Sequence, residues 1–155
     1  MKKKLKWILT VLVPAFVLLQ FMNPARTNPP VVRDVMASSV PPPEIRVMLR
    51  GACYDCHSDE TRWPWYSRVA PVSWQIAADV DDGRKQLNLS DWPVDNPLRA
   101  AKKLEDMSDE IGYDEMPLKK YELIHAGARL TESQRKELIG WLNSEAARLK
   151  TLAKK

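Results

Sequence analysis

The stretch GACYDCHSDE, residues 51–60, holds both cysteines of the chain and one of its two histidines. Cys53, Cys56 and His57 fall within five positions, a crowding that fits a thiol redox centre, a metal site or the covalent seat of a haem. The choice between these depends on what surrounds the stretch.

On either side the pattern is helical. Before it, EIRVMLR (44–50) puts Ile45, Met48 and Leu49 on one stripe, and Gly51 is expected to end that helix. After it, Pro71 starts VSWQIAADVDDGRKQL, with Trp74, Ile76, Ala77 and Val80 at helical spacing and Trp74 expected in the core. Pro97 opens LRAAKKLEDMSDEI, where Leu98, Ala101, Leu104 and Ile111 form the apolar side. Thr131 followed by Gln134 makes a capping box for the last helix, whose face carries Leu138, Trp141, Leu142, Ala146 and Leu149. No segment alternates long enough to read as a strand, so an all-α domain is expected over 44–150.

The 155 residues are 45% hydrophobic and 28% charged, as in folded chains. The net charge of +4 is misleading. Five basic residues and no acid lie in the first thirty positions, which leaves 19 basic against 20 acidic groups beyond them. A nucleic-acid surface is not indicated.

The N-terminal thirty residues read MKKKLKWILTVLVPAFVLLQFMNPARTNPP. Lysines ahead of the uncharged run Trp7–Met22 have the layout of an export signal or membrane anchor. The expectation is one N-terminal transmembrane signal-anchor helix over 1–23, its basic flank in the cytoplasm and the remainder exported. That places the chain in the inner (cytoplasmic) membrane as a single-pass protein with its domain on the periplasmic side. The proline clusters at 29–30 and 41–43 suggest a semi-rigid spacer over 24–43; the alternative is an arm wrapped on the domain.

Cys-x-x-Cys-His is the attachment signature of c-type haem. Thiols at i and i+3 on a helical turn can add to two vinyl groups while the next imidazole faces the iron. The other nitrogen of that imidazole needs an acceptor, for which the Pro71 carbonyl is a candidate. A thioredoxin-like pair would want a strand leading into the motif, and none is visible. Zinc would need four ligands, with Cys53, Cys56, His57 and His125 the nominees. A plain disulfide suits an exported chain. Of these, covalent haem accounts for the most features.

A sixth iron ligand is sought among six methionines. Met1 and Met22 belong to the N-terminal segment, Met36 to the spacer, Met48 and Met107 to helices. Met116 stands before Pro117 in YDEMPLKKY, where the proline favours an extended loop. His125 or an open site are the alternatives. Trp63, Trp65 and Tyr66 either pack on a porphyrin or fill the core; Arg84 and Lys85 either pair with a propionate or are solvated. Lys119 and Lys120 suggest a positive rim for an acidic partner.

At this point CYDCHSDETRWPWYSRVAPVSWQIAADVDDGRKQLNLSDW, with DEMPLKKYELIHAGARLTESQRKELIGWL, resembles the bacterial haem-binding-domain family, a cytochrome c-like group. The resemblance spans roughly 44–145. It implies a cytochrome c-like helical fold, one covalent haem c on Cys53 and Cys56, His57 as proximal iron ligand and Met116 in the distal position. The function it suggests is single-electron transfer, without enzymatic activity, to membrane or periplasmic redox proteins. A haem-based gas sensor or peroxidase-like enzyme with a labile distal ligand is the alternative.

Overall fold

The computed structural model describes residues 2–154; Met1, grouped above with the N-terminal segment, and Lys155 lie outside them. Among the described residues eight α-helices are present: α1 (Lys2–Leu19), α2 (Val35–Ser38), α3 (Pro43–Ala52), α4 (Tyr54–His57), α5 (Val72–Gln86), α6 (Pro97–Gly112), α7 (Lys119–Ile124) and α8 (Glu132–Leu152). Short 3-10 turns occur at Gln20–Met22, Trp65–Arg68 and Ala126–Ala128. No strand forms among the described residues, apart from an isolated bridge between Arg33 and Asp91.

The helix boundaries follow local chemistry. Pro97 occupies the first turn of α6, and the Asn96 side chain accepts from the Arg99 amide as its N-cap. Thr131 and Gln134 complete both halves of the capping box on α8. Gly51, however, does not stop α3, which runs on to Ala52. Its role is steric: a Cβ there would stand 2.6 Å from the Gly127 carbonyl oxygen.

The core lies where α6 and α8 pack along each other, with α3 also packed against α8. Leu104, Leu138 and Leu142 are wholly buried, as are Ile45, Leu49 and Tyr54 from the segment around the cysteines. Each such aliphatic side chain contributes about 1.5–3 kcal/mol through removal from water. Two expected core residues lie elsewhere. Leu98, in the first turn of α6, is exposed, and so is Trp74, whose Nε1 donates to the Met22 carbonyl at 3.0 Å.

The segment 24–43 differs from the expected spacer. It runs as an arm along the domain: Val32 and Arg33 amides donate to the Ser90 carbonyl, Val35 donates to Leu89, and Trp92 donates back to Arg33. The Tyr54 hydroxyl reaches both Asp34 carboxylate oxygens at 3.0 Å, and Val35 is buried. Backbone amides that a free spacer would give to water are here satisfied by the domain.

The expected transmembrane helix requires a correction. α1 forms, but no described helix is long and apolar enough to cross a membrane. Four of the first five residues of α1 are lysine. The uncharged remainder, Trp7–Leu19, rises roughly 20 Å at 1.5 Å per residue, short of a hydrocarbon core about 30 Å thick.

Candidate functional site

Cys53 caps α3, and the next four residues close the single turn α4, with the Cys56 and His57 amides both donating to the Cys53 carbonyl. This turn rests on α5. Gly83 makes the contact possible, since a Cβ at that position would meet the Cys56 carbonyl oxygen at 2.6 Å.

His57 Nδ1 lies 2.9 Å from the Gly83 carbonyl and 3.2 Å from that of Leu87. Both partners are acceptors, so Nδ1 carries the proton and Nε2 keeps the lone pair. These carbonyls take the place expected for Pro71. Burial holds the imidazole below its usual pKa even though the two backbone bonds oppose that shift. A neutral ring of fixed tautomer is the form that ligates iron.

Both cysteines are free thiols. Burial, then the neighbouring Cys56, pushes the Cys53 thiol up to about 12; burial, then Asp79 and Asp55, pushes Cys56 up to about 11. A redox-active Cys-x-x-Cys pair depends on a lowered thiol pKa, which is the opposite arrangement.

A cavity of about 490 Å³ opens beside the turn, within the usual range for cofactor sites. Cys53, Cys56 and His57 line it together with Met116, although Met116 comes from the loop between α6 and α7. Met107, Leu118, Leu130 and Leu138 add apolar wall; Lys103, Glu110, Asp79 and Asp82 supply the charged lining. Two thiols, a neutral imidazole, a thioether and apolar walls form a donor set suited to a ligated porphyrin. Among the described residues, no group of three or more His, Cys, Asp or Glu is placed to hold a metal ion, so the four-ligand zinc arrangement does not assemble.

His125 does not line the cavity. Its Nε2 pairs with the Tyr66 hydroxyl at 2.7 Å, its Nδ1 with the Tyr121 carbonyl at 3.0 Å, and its ring stacks on Tyr121 at 3.9 Å. Trp63, Trp65 and Tyr66 also stand outside the cavity; Trp63 Nε1 donates to Asn28, and Trp65 is exposed. Arg84 is committed to the arm and to the loop after α4, donating to Thr27 and Asn28 of the first and to Ser58 and Thr61 of the second. Lys85 pairs with Asp81. The expected positive rim is largely neutralised, as Lys119 pairs with Asp114 and Glu122 and Lys120 with Asp79.

Sequence reasoning missed Asp55 and Tyr121. Asp55 stands inside the Cys-x-x-Cys spacing, at a position the motif leaves open. It accepts from the Arg62 amide and guanidinium, and from the hydroxyl of Tyr121, a cavity residue, at 2.7 Å. Burial opposes ionisation of Asp55, but the Arg62 and Tyr121 bonds outweigh it and hold the carboxyl below the usual range. Lys103 was missed as well, because nothing in its own stretch of helix separates a cavity lysine from a solvated one.

An all-helical domain that gathers a Cys-x-x-Cys-His turn and a methionine round one cavity has the make-up of a helical haem protein. Comparison with known families agrees: residues 14–144 match the haem-binding domain, and the chain belongs to that family. The match takes in the whole of the arm and α2 to α7, together with the end of α1 and the first part of α8. No curated protein and no solved structure matches the chain.

Proposed function

We propose that this haem protein is an exported c-type cytochrome of cytochrome c-like architecture that passes single electrons between redox proteins outside the cytoplasm. Cys53 and Cys56 would hold one haem through thioether bonds, and His57 Nε2 and Met116 Sδ would ligate its iron. The observation that carries this reading is the shared cavity: residues from α4 and from the α6–α7 loop, far apart in sequence, line the same space.

The bound haem supplies a one-electron iron couple whose potential thioether ligation raises relative to bis-histidine. The chain's residues do the rest. Cys53 and Cys56 would each supply the sulfur for one thioether to a vinyl carbon, the thiol proton going to the other carbon, so attachment would consume no oxidant. Gly83 and Leu87 orient the imidazole through Nδ1. Met107, Leu118 and Leu130 supply apolar lining that would keep water from a bound haem. Export is supported by the lysines followed by thirteen uncharged residues in α1, a length suited to the 7–15-residue apolar segment of an export signal.

The gas-sensor or peroxidase-like alternative needs an open or labile distal side, and a peroxidase needs an acid–base group there. His125, the other histidine of the chain, has both ring nitrogens engaged away from the cavity. An absorption spectrum of protein matured with haem decides between the readings. A low-spin reduced spectrum unmoved by carbon monoxide, with a far-red sulfur-to-iron band when oxidised, is expected for electron transfer. Prompt carbon monoxide binding by the unaltered protein would mean a sensor or enzyme.

A further inference from the structure

Met116 sits in a loop of six residues between α6 and α7, and a loop is a poor support for an iron ligand unless its backbone is held. Its amide donates to the Glu110 carbonyl at 3.2 Å, anchoring one side of the residue to the last turn of α6. Its carbonyl accepts from Arg135 Nη1 at 3.3 Å. The same nitrogen reaches the Ile111 carbonyl at 3.4 Å, one of the last carbonyls of α6. The other guanidinium nitrogen, Nη2, pairs with Asp114 at 2.9 Å and Glu122 at 3.3 Å.

Arg135 therefore ties together the end of α6, the middle of the loop and the body of α7. Its own placement is fixed, because it lies in the first turn of α8 directly after the capping box, and its amide donates to the Thr131 carbonyl. The side chains of Arg135 and Glu122 are both 14% exposed, so their pair is largely shielded from water, whereas Asp114 is open to it. Asp114 adds a second constraint. It has left-handed backbone geometry (φ 61°), which aspartate tolerates, and its carboxylate is shared between Arg135 and Lys119.

We propose that Arg135 is the positioning residue of the distal side, holding the Met116 loop at the distance from which its sulfur closes the sixth iron site. The proposal rests on the reading of Met116 as the axial ligand. The planar fork is essential to it, since a guanidinium can serve two carbonyls and two carboxylates at once whereas an ammonium has no such geometry. Releasing the loop leaves His57 and both cysteines untouched, so haem attachment persists while the sixth site opens part of the time.

The test compares four variants of the full chain matured with covalent haem, using carbon monoxide and the far-red band as readouts. Arg135→Ala is expected to retain haem, weaken the far-red band, and raise the carbon monoxide association rate about tenfold or more, the scale of losing a charge-assisted bond. Arg135→Lys should fall between wild type and Arg135→Ala, and carries the test alone if the alanine variant does not fold. Arg148→Ala, which breaks the Glu145 pair on the same helix, controls for mere destabilisation of α8 and should leave both readouts unchanged. Met116→Ala separates the two ideas. If it binds carbon monoxide promptly while the Arg135 variants behave as wild type, the positioning role is wrong and the ligand stands. An Arg148→Ala effect equal to that of Arg135→Ala also overturns the role. If Met116→Ala leaves carbon monoxide behaviour unchanged, the ligand assignment falls, and the role of Arg135 falls with it.

Discussion

Gly83 of α5 lies so close to Cys56 that an added Cβ would stand 2.6 Å from the Cys56 carbonyl oxygen and 3.1 Å from its carbon. Both opposing atoms are backbone, so relief can come only by moving the helix or the Cys-x-x-Cys-His turn. The same Gly83 presents its carbonyl to His57 Nδ1. One residue thus sets both the approach of the turn and the orientation of its imidazole.

Gly83→Ala is accordingly expected to destabilise the fold by about 1–3 kcal/mol, as overpacking does, and to lower the yield of attached haem. Gly51→Ala is the informative comparison. Its Cβ would also meet a carbonyl at 2.6 Å, but that of Gly127, which is not an acceptor of His57. Thermal unfolding should show a loss in both variants, with the haem spectrum altered only for Gly83→Ala.

Replacement of either Cys53 or Cys56 by serine should leave the porphyrin attached through one thioether, and replacement of both should leave none. Denaturing gels stained for haem peroxidase activity read this directly. Full retention of stain in the double variant would exclude covalent attachment at these positions.

The Asp55 carboxyl is held below its ordinary range by Arg62 and Tyr121, against the opposing effect of burial. A depressed folded pKa gives stability that is present above the unfolded value of about 3.9 and lost as pH falls through the lower folded value. Asp55→Asn should therefore melt below wild type at pH 7, with the gap closing at strongly acidic pH. A gap of equal size at pH 2.5 and pH 7 would show that the carboxylate charge is not responsible. Tyr121→Phe removes one of the bonds to that carboxylate and should cost about 1–3 kcal/mol at neutral pH.

Leu142 is fully buried where α8 meets α6. Leu142→Ala should lower stability by about 2–5 kcal/mol, measured by denaturant unfolding. The Cys-x-x-Cys-His turn belongs to neither helix, so the spectrum of whatever folded protein remains should match wild type.

Much of this molecule was legible in the chain. Proline and capping residues mark where α5, α6 and α8 begin, and helical spacing of Ile45, Met48, Leu104, Leu138 and Leu142 picks out buried faces. Such signals are local: a cap or a stripe acts within a turn or two of its own backbone. Cys53, Cys56 and His57 are legible for the same reason, being held by one turn.

Tertiary structure decided what depends on residues distant in sequence. Polyproline character made 24–43 look like a spacer, yet its amides are satisfied by Ser90 and Leu89, partners that no local pattern names. The His57 acceptors come from Gly83 and Leu87 rather than Pro71, because only the packing of α5 on the turn selects which carbonyl comes within reach. Asp55, Tyr121 and Arg135 carry no signature of their own. Their significance arises from hydrogen bonds of 2.7–3.4 Å, between α4 and α7 for Asp55 and Tyr121 and from α8 to the end of α6 and its following loop for Arg135, and that juxtaposition is a property of the packed chain.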